Sequence, residues 1–461
     1  MTIDQQFRDT ARRHQHSVAI DDGEQRISFG RLQAGAAELG RQLLKAGLEP
    51  GEPVVVIVAN RASDITAFLA VWQAGGVVVP VHQSAPLPSR QKLLARLGNR
   101  FVIDKTLAVI REVAPVARPL LAQAGTIIFT SGSTGEPKGV VLSKTRASNK
   151  LAMIGRMTNW QPRENALIAL QLTFSFGQWS TWLTLLNGGC VHLRNRFEPE
   201  SFHQLLDAGK ISRFPAVPTM LRKLVETGHV SSFGGQIMAG GEALPAALGR
   251  QIRKAFPKAG LGDIYGLTET GTSDFFVNAS QYDAQAGSLG KAGEEIQWRL
   301  SPDSGELQIY SPWRMLGYLD EPELTAASMP DGWFHTGDLA AENADHTVRL
   351  IGRAKDLIVR SGNKISPLEV EAAFLEHPAV RAVLVAGVSD ADGIESIHMA
   401  VVVDPAQACN ADELCEWAQD RLERYKMPNE IHFVDALPSG STGKADRNAL
   451  RAMIAGQSAN L

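Results

Sequence analysis

Cysteine is scarce: 461 residues hold three, Cys190, Cys409 and Cys415. An odd, sparse count leaves no disulfide framework and fits a reducing compartment. Cys409 and Cys415 lack the usual zinc-ligand spacing, so no metal is expected at them. Long apolar runs are missing too. Stretches such as Val77 to Val81 fall far short of the ~20 residues that cross a bilayer. Met1 to Gln5 has no basic start leading into an apolar run, so no signal peptide is read. Neither sign of charge dominates: Lys and Arg total 46 against 49 Asp and Glu, a net charge of −3. No run of Lys and Arg marks a nucleic-acid or membrane-surface protein. These absences point to a cytoplasmic protein that works without nucleic acid or membrane. What is present is ordinary for a globular chain, 44% hydrophobic and 21% charged residues. The length suits more than one domain and a core that needs no staple.

The order of apolar segments is that of an α/β protein. Pro53 to Val58 is a β-branched run and reads as a buried strand. Ser63 to Gln73 follows with helical spacing of Ile65, Phe68, Leu69 and Trp72. Gly75-Gly76 stops that helix, and Val77 to Pro80 reads as the next strand. Similar units recur at Ala166 to Leu172, Trp179 to Leu186 and Cys190 to Leu193. Such alternation predicts largely parallel sheets. The C-terminal part reads as α+β. Thr347 to Ile351 and Asp356 to Arg360 look like a strand pair around Gly352-Arg353. Ser366 to His377 reads as a helix with Pro367 in its first turn. Val380 to Val388 and His398 to Val403 read as strands, and Ala411 to Arg424 as a helix. The expected organisation is a large N-terminal domain of stacked α/β sheets, residues 1–352, and a small α+β domain, residues 353–461.

One segment carries chemistry openly. From Thr126 to Val141 an apolar strand runs into Thr130-Ser131-Gly132-Ser133-Thr134-Gly135-Glu136-Pro137-Lys138, and an apolar stretch follows. Glycines let backbone N–H groups approach an anion, hydroxyls add donors and Lys138 adds charge, so the loop suits phosphate. It is not a Walker loop, because Gly-Lys-Ser/Thr is absent at the required spacing.

That loop resembles the signature of the adenylate-forming superfamily, which includes acyl-CoA synthetases, nonribosomal peptide synthetase adenylation domains and firefly luciferase. Further segments stand in the superfamily's order, so the resemblance covers nearly the whole chain. It implies the acyl-adenylate-forming fold, with a mobile C-terminal domain, and ATP and Mg²⁺ as cofactors. It implies that Gly240, Gly241 and Glu242 lie against adenine. In Tyr265-Gly266-Leu267-Thr268-Glu269, it implies that Tyr265 packs on adenine, Thr268 contacts phosphate and Glu269 holds Mg²⁺. Asp338 and Arg353 are implied to reach the ribose. Lys355 stands at the hinge position, where relatives carry Asp or Lys. Lys444 matches the mobile catalytic lysine, with Lys138, Thr268 and Glu269 as its companions. After adenylation the small domain is expected to turn about Lys355, bringing Ser361, Gly362 and Asn363 to a pantetheine thiol.

The acid is read from Phe174-Ser175-Phe176-Gly177. Adenylation domains for α-amino acids typically carry Asp where Ser175 stands, to pair with the ammonium. Without it a buried ammonium would be uncompensated. The Phe-x-Phe-Gly pattern resembles aryl-CoA ligases, which favours an aromatic, cyclic or medium apolar acid. These aromatics serve either as pocket wall or as plain core. By resemblance Met238, Gly240, Gly266 and Thr270 complete the acyl pocket. Trp179 and Trp182 are read as packing residues. No carrier domain follows Leu461, so the expected acceptor is CoA, a free carrier protein bearing phosphopantetheine, or an amine. Lys138, Glu269, Asp338, Arg353 and Lys444 together argue against a non-catalytic nucleotide-binding protein.

Overall fold

The structure, a computed structural model, describes residues 1–98, 100–104, 106–109, 116–130, 137–360, 362–389, 395–407, 409–438 and 445–458. The chain forms two compact units. The first comprises Met1–Leu244, Gln251–Trp298 and Ile309–Phe334; the second comprises Pro245–Arg250, Arg299–Gln308 and His335–Leu461.

The first unit is built on two sheets. In the seven-stranded sheet, Pro53–Val58 lies parallel to both Val77–His82 and Phe101–Asp104. The strand Ala124–Thr130 continues it beside Val77–His82 and pairs antiparallel with Lys138–Ser143. Val54, Val55, Val56 and Val58 are all buried, which explains why the run is apolar without alternation. The nine-stranded sheet includes the parallel strands Arg213–Ala216, Gln236–Gly240 and Gly260–Tyr265.

Two local expectations change. The strand read over Ala166 to Leu172 is only Ala166–Ile168. Asn60 captures the rest: its Nδ2 donates to Leu170 O (2.9 Å) and its Oδ1 accepts from Leu172 N (3.1 Å). The following helix, Ser175–Leu186, starts four residues earlier than read, so Ser175, Phe176 and Gly177 form its first turn.

The second unit holds a three-stranded sheet, Val380–Ser389, Glu395–Val403 and Glu430–Phe433. Its faces alternate with period two. Ile397, Met399 and Val401 pack with Phe374 and Leu414, while Ala400 packs with Leu450 and Ile454. The strand pair expected around Gly352-Arg353 does not form. Val348–Arg353 pairs with the preceding strand Phe334–Glu342, and Ile358–Arg360 pairs with Asn363–Ile365. A 3₁₀ turn, Ala354–Asp356, separates the two hairpins. The helix Pro367–Leu375 is capped by Ser366, whose Oγ accepts from Glu369 N. The helix Ala411–Gln419 is shorter than read, and Arg424–Lys426 is a 3₁₀ turn.

Candidate active site

Thr130 and Lys138 stand opposite each other where Ala124–Thr130 pairs with Lys138–Ser143. The loop candidates between them, Ser131, Gly132, Ser133, Thr134 and Gly135, lie outside the described residues. Lys138 Nζ sits 5.5 Å from the ring centroid of Tyr318, within cation–π reach. Tyr318 pairs with Val140 on the same strand, and its hydroxyl donates to Glu269 Oε1 at 3.1 Å. One ring therefore spans the distance from the Lys138 ammonium to the Glu269 carboxylate. Burial and the neighbouring carboxylate push the Tyr318 phenol up, so it stays a donor at neutral pH. The sequence reading missed Tyr318. Its only cue is an aromatic in Gly317-Tyr318-Leu319, which looks like any core residue.

Tyr265 ends the strand Gly260–Tyr265, and Thr268 and Glu269 follow in the bend beyond it. Gly266 is dictated by the close pass of Ser273, whose N would lie 2.2 Å from an added Cβ. Gly271, Thr272 and Ser273 all have positive φ, +87°, +71° and +47°. For β-branched Thr272 that is a strained conformation. A buried network holds the bend. Thr270 Oγ1 donates to the Asp274 carboxylate and accepts from Leu267 N, and Lys150 Nζ donates to Asp274 Oδ1 at 2.7 Å. The Lys150 and Asp274 side chains are 1% and 0% exposed. Burial pushes the Asp274 carboxyl up and the Lys150 ammonium down, and each charge offsets part of the other's shift. Neither residue stands out in sequence, where Lys150 is one lysine in a helix. Thr270, a pocket candidate, is fully buried in this network. Two residues before Tyr265, burial pushes the Asp263 carboxyl up to about 7, opposed only by the Ile264 N–H at 2.9 Å.

The acyl-pocket candidates gather beside this bend. Thr268 Oγ1 is 3.3 Å from Ser175 Oγ. Phe176 stacks on Trp179, with centroids 5.3 Å apart and planes 21° apart. Phe176 also backs onto Gly240, where an added Cβ would stand 3.2 Å from its ring and 3.0 Å from Ile264 O. Met238 is buried two residues earlier on the same strand. Gly241 turns the chain with φ +80°, and Glu242 Oε2 accepts from Thr219 Oγ1 at 2.8 Å. Gly177 lies where a Cβ would meet Gln171 O at 2.5 Å, and Phe174 is exposed. A small cavity of about 60 Å³ adjoins the group, lined by Ser175, Gln178, Trp179, Trp182, Trp72 and Thr272 among others.

In the second unit, Asp338 and Arg353 are direct partners across a hairpin. Arg353 Nε is 2.9 Å from Asp338 Oδ1, and the Asp338 carboxyl is buried. The approach to Asp338 is fixed as well. Thr336 Oγ1 donates to Leu307 O (2.6 Å) and accepts from Asp338 N (3.0 Å), and Gly337 N donates to Glu306 Oε1 (2.8 Å). Lys355 is exposed in the turn Ala354–Asp356. Gly362, with φ +81°, and Asn363 are exposed at the tip of the next hairpin, and Ser361 lies outside the described residues. Lys444 also lies outside them. Among the described residues that flank it, Asp446 N donates to Pro438 O at 2.9 Å. Arg447 then anchors the helix Arg447–Ser458, with Nη2 2.6 Å from Glu371 Oε1 and Nε donating to Val385 O at 2.9 Å.

A lysine that follows a Gly/Ser-rich segment in sequence, together with a phenol and a carboxylate, can bind a polyphosphate. Glu269 supplies an oxygen ligand, which suits Mg²⁺, a hard cation that takes one or two carboxylates plus substrate phosphates. A buried carboxylate paired with an arginine can accept hydrogen bonds from a diol.

Known proteins resemble this chain in sequence and fold. Residues 7–125 and 113–319 match the family model "AMP-binding enzyme", and residues 369–444 match "AMP-binding enzyme C-terminal domain". A feruloyl-CoA synthase from Amycolatopsis sp. is 29% identical over 96% of both chains. A 2-succinylbenzoate–CoA ligase from Bacillus cereus is 27% identical over 95% of both. The solved o-succinylbenzoate CoA synthetase from Bacillus subtilis, in complex with its acyl-adenylate intermediate, superposes with a TM-score of 0.84. It is 25% identical and covers 97% of each chain.

Proposed function

The chain belongs to the AMP-binding enzyme family, and from that premise we propose that it activates a small carboxylic acid with ATP and transfers the acyl group to the thiol of CoA. A carboxylate oxygen attacks the α-phosphorus of ATP, the bond to the β-phosphate breaks and pyrophosphate leaves. The CoA sulfur then attacks the acyl carbonyl, and AMP leaves. No bond to the protein forms, so the side chains act by positioning and charge neutralisation.

The observation that carries this reading is the line from Lys138, just past the Gly/Ser-rich segment in sequence, through Tyr318 to Glu269. In our assignment Thr130 and residues 131–135 cradle the phosphates, Lys138 offsets their charge and Thr268 donates to them. Glu269, oriented by Tyr318, would hold Mg²⁺, which when bound spreads the charge of the leaving pyrophosphate. Tyr265 and Gly240 to Glu242 take the adenine, and Asp338 with Arg353 takes the ribose. Lys444 brings the acid carboxylate and the α-phosphate into line. For the second step, residues 353–461 turn about Lys355 and present Ser361, Gly362 and Asn363 to the thiol.

We assign an aromatic, cyclic or medium apolar acid. Ser175 offers no counter-charge to an ammonium, and Phe176, stacked on the buried packing residue Trp179, supplies an apolar wall. The relatives named for feruloyl and succinylbenzoyl groups act on aryl acids, which agrees. CoA is the assigned acceptor, with a carrier-protein thiol as the variant of the same chemistry. No helix among the described residues is long and apolar enough to cross a membrane. We place the reaction in the cytoplasm, with ATP and CoA.

The test is acid-dependent exchange of labelled pyrophosphate into ATP over a panel of aryl, cyclic, alkyl and α-amino acids, followed by thioester analysis with CoA. Apolar acids should support exchange and yield a CoA thioester, while α-amino acids should not. Exchange with no acid of the panel above the acid-free rate would overturn the proposal.

A further inference from the structure

Away from the nucleotide residues, the small unit gathers three metal-ligating side chains. Glu430–Phe433 runs parallel to Glu395–Val403, with His398 opposite Glu430 and Ala400 opposite His432. Residues two apart on a strand share a face, so Glu430 and His432 stand together with His398 beside them. Nδ1 of His398 and Nε2 of His432 are 3.1 Å apart, and a Glu430 oxygen is 3.7 Å from each. One ligand atom from each residue lies within 4.8 Å of the others. A tetrahedral ion with bonds of about 2.0–2.2 Å spaces its ligand atoms about 3.3 Å apart. The cluster meets that spacing with side-chain adjustments alone.

One tautomer is set in advance. Ser396 Oγ donates its single proton to Val388 O at 3.1 Å. Its 3.0 Å contact with His398 Nε2 therefore has the imidazole as donor. In that tautomer the neutral ring keeps its lone pair on Nδ1, the nitrogen 3.1 Å from His432 Nε2. Holding a ligand histidine through its other nitrogen is the usual support of a metal site. His398 is buried.

We propose that His398, His432 and Glu430 form a binding site for a divalent transition metal, with Zn²⁺ as its natural occupant. Two imidazoles and one carboxylate are a known zinc set that leaves a fourth position for water. Mg²⁺, which prefers oxygen ligands throughout, is a poor match. The bound ion bridges neighbouring strands of the small sheet. It acts on the stability of the small unit, and the site stands whether or not the adenylation reading does.

The test uses the full chain, stripped with chelator and kept in excess Mg²⁺. Titration with Zn²⁺ should show one ion per chain at micromolar Kd or tighter. Tm should rise with free Zn²⁺, as binding to the native state alone requires. Co²⁺ should give visible absorption of a four- or five-coordinate ion. Glu430→Gln, at an exposed position, and His432→Asn should weaken binding at least tenfold and abolish the Co²⁺ bands. Ser396→Ala should weaken binding by about 10–100-fold through the lost support. The double variant Cys409→Ser/Cys415→Ser should bind like the parent. Absence of Zn²⁺ binding, binding that survives His432→Asn, or binding lost only in the cysteine variant would each overturn the proposal.

Discussion

Lys150 and Asp274 face each other at 2.7 Å, both removed from water. Losing one partner strands the other charge, at a cost of about 3–5 kcal/mol, whereas replacing both with groups of similar shape is far milder. Lys150→Met alone should lower the unfolding free energy by about that amount, and Lys150→Met/Asp274→Asn should recover most of it. Urea unfolding of the two variants and the parent checks this. A double variant as unstable as the single one would refute the pair as the cause. Asp263 is the opposite case, a carboxyl raised by burial and opposed by a backbone N–H rather than by a charge. Its pKa is pushed up to about 7, while an unfolded Asp loses its proton near ~4. Across that window the native state holds the extra proton, so this residue's contribution to stability falls as pH rises from ~4 to ~7 and is level above. Asp263→Asn should remove that fall. Subtracting the variant's stability profile from the parent's over this range isolates the residue, and a flat difference would count against it.

Among the elements, the runs that bury both faces or alternate cleanly were legible. Pro53–Val58 and Val77–His82 form as their valine content requires, and the helix Ala62–Gln73 ends at Gly75 with φ +87°. Pairing was less legible, because it depends on partners that local pattern does not name. Thr347 to Ile351 reads as the partner of the next apolar run, yet its partner lies before it, across the turn at residues 343–347. That pairing sets Asp338 directly opposite Arg353, so two residues read from separate motifs are neighbours by register. The motif residues could be listed from the sequence, but not what holds them. Tyr318, Lys150 and Asp274 act through tertiary contacts with residues at least 49 positions away, and no spacing rule reaches so far. Glu371 and Arg447 are of the same kind. They fix the start of the helix that follows Lys444 and are silent in sequence.

At the scale of the whole molecule, one chain must serve two reactions with opposite needs. Adenylation requires a cation between the acid and the α-phosphate; thioester formation requires that space for a thiol. In the proposed reading Lys444 is that cation, present for one step and absent for the next. If Lys444 acts only in the first step, its removal separates the two. Lys444→Ala should abolish acid-dependent pyrophosphate exchange, while thioester formation from supplied acyl-adenylate and CoA should stay within a few-fold of the parent. Lys444 precedes Arg447, whose pairing with Glu371 fixes the next helix, so an unchanged Tm must accompany the loss for it to count as a catalytic effect. Equal loss in both half-reactions would mean that Lys444 holds the nucleotide throughout, and the account of a turning C-terminal domain would lose its basis.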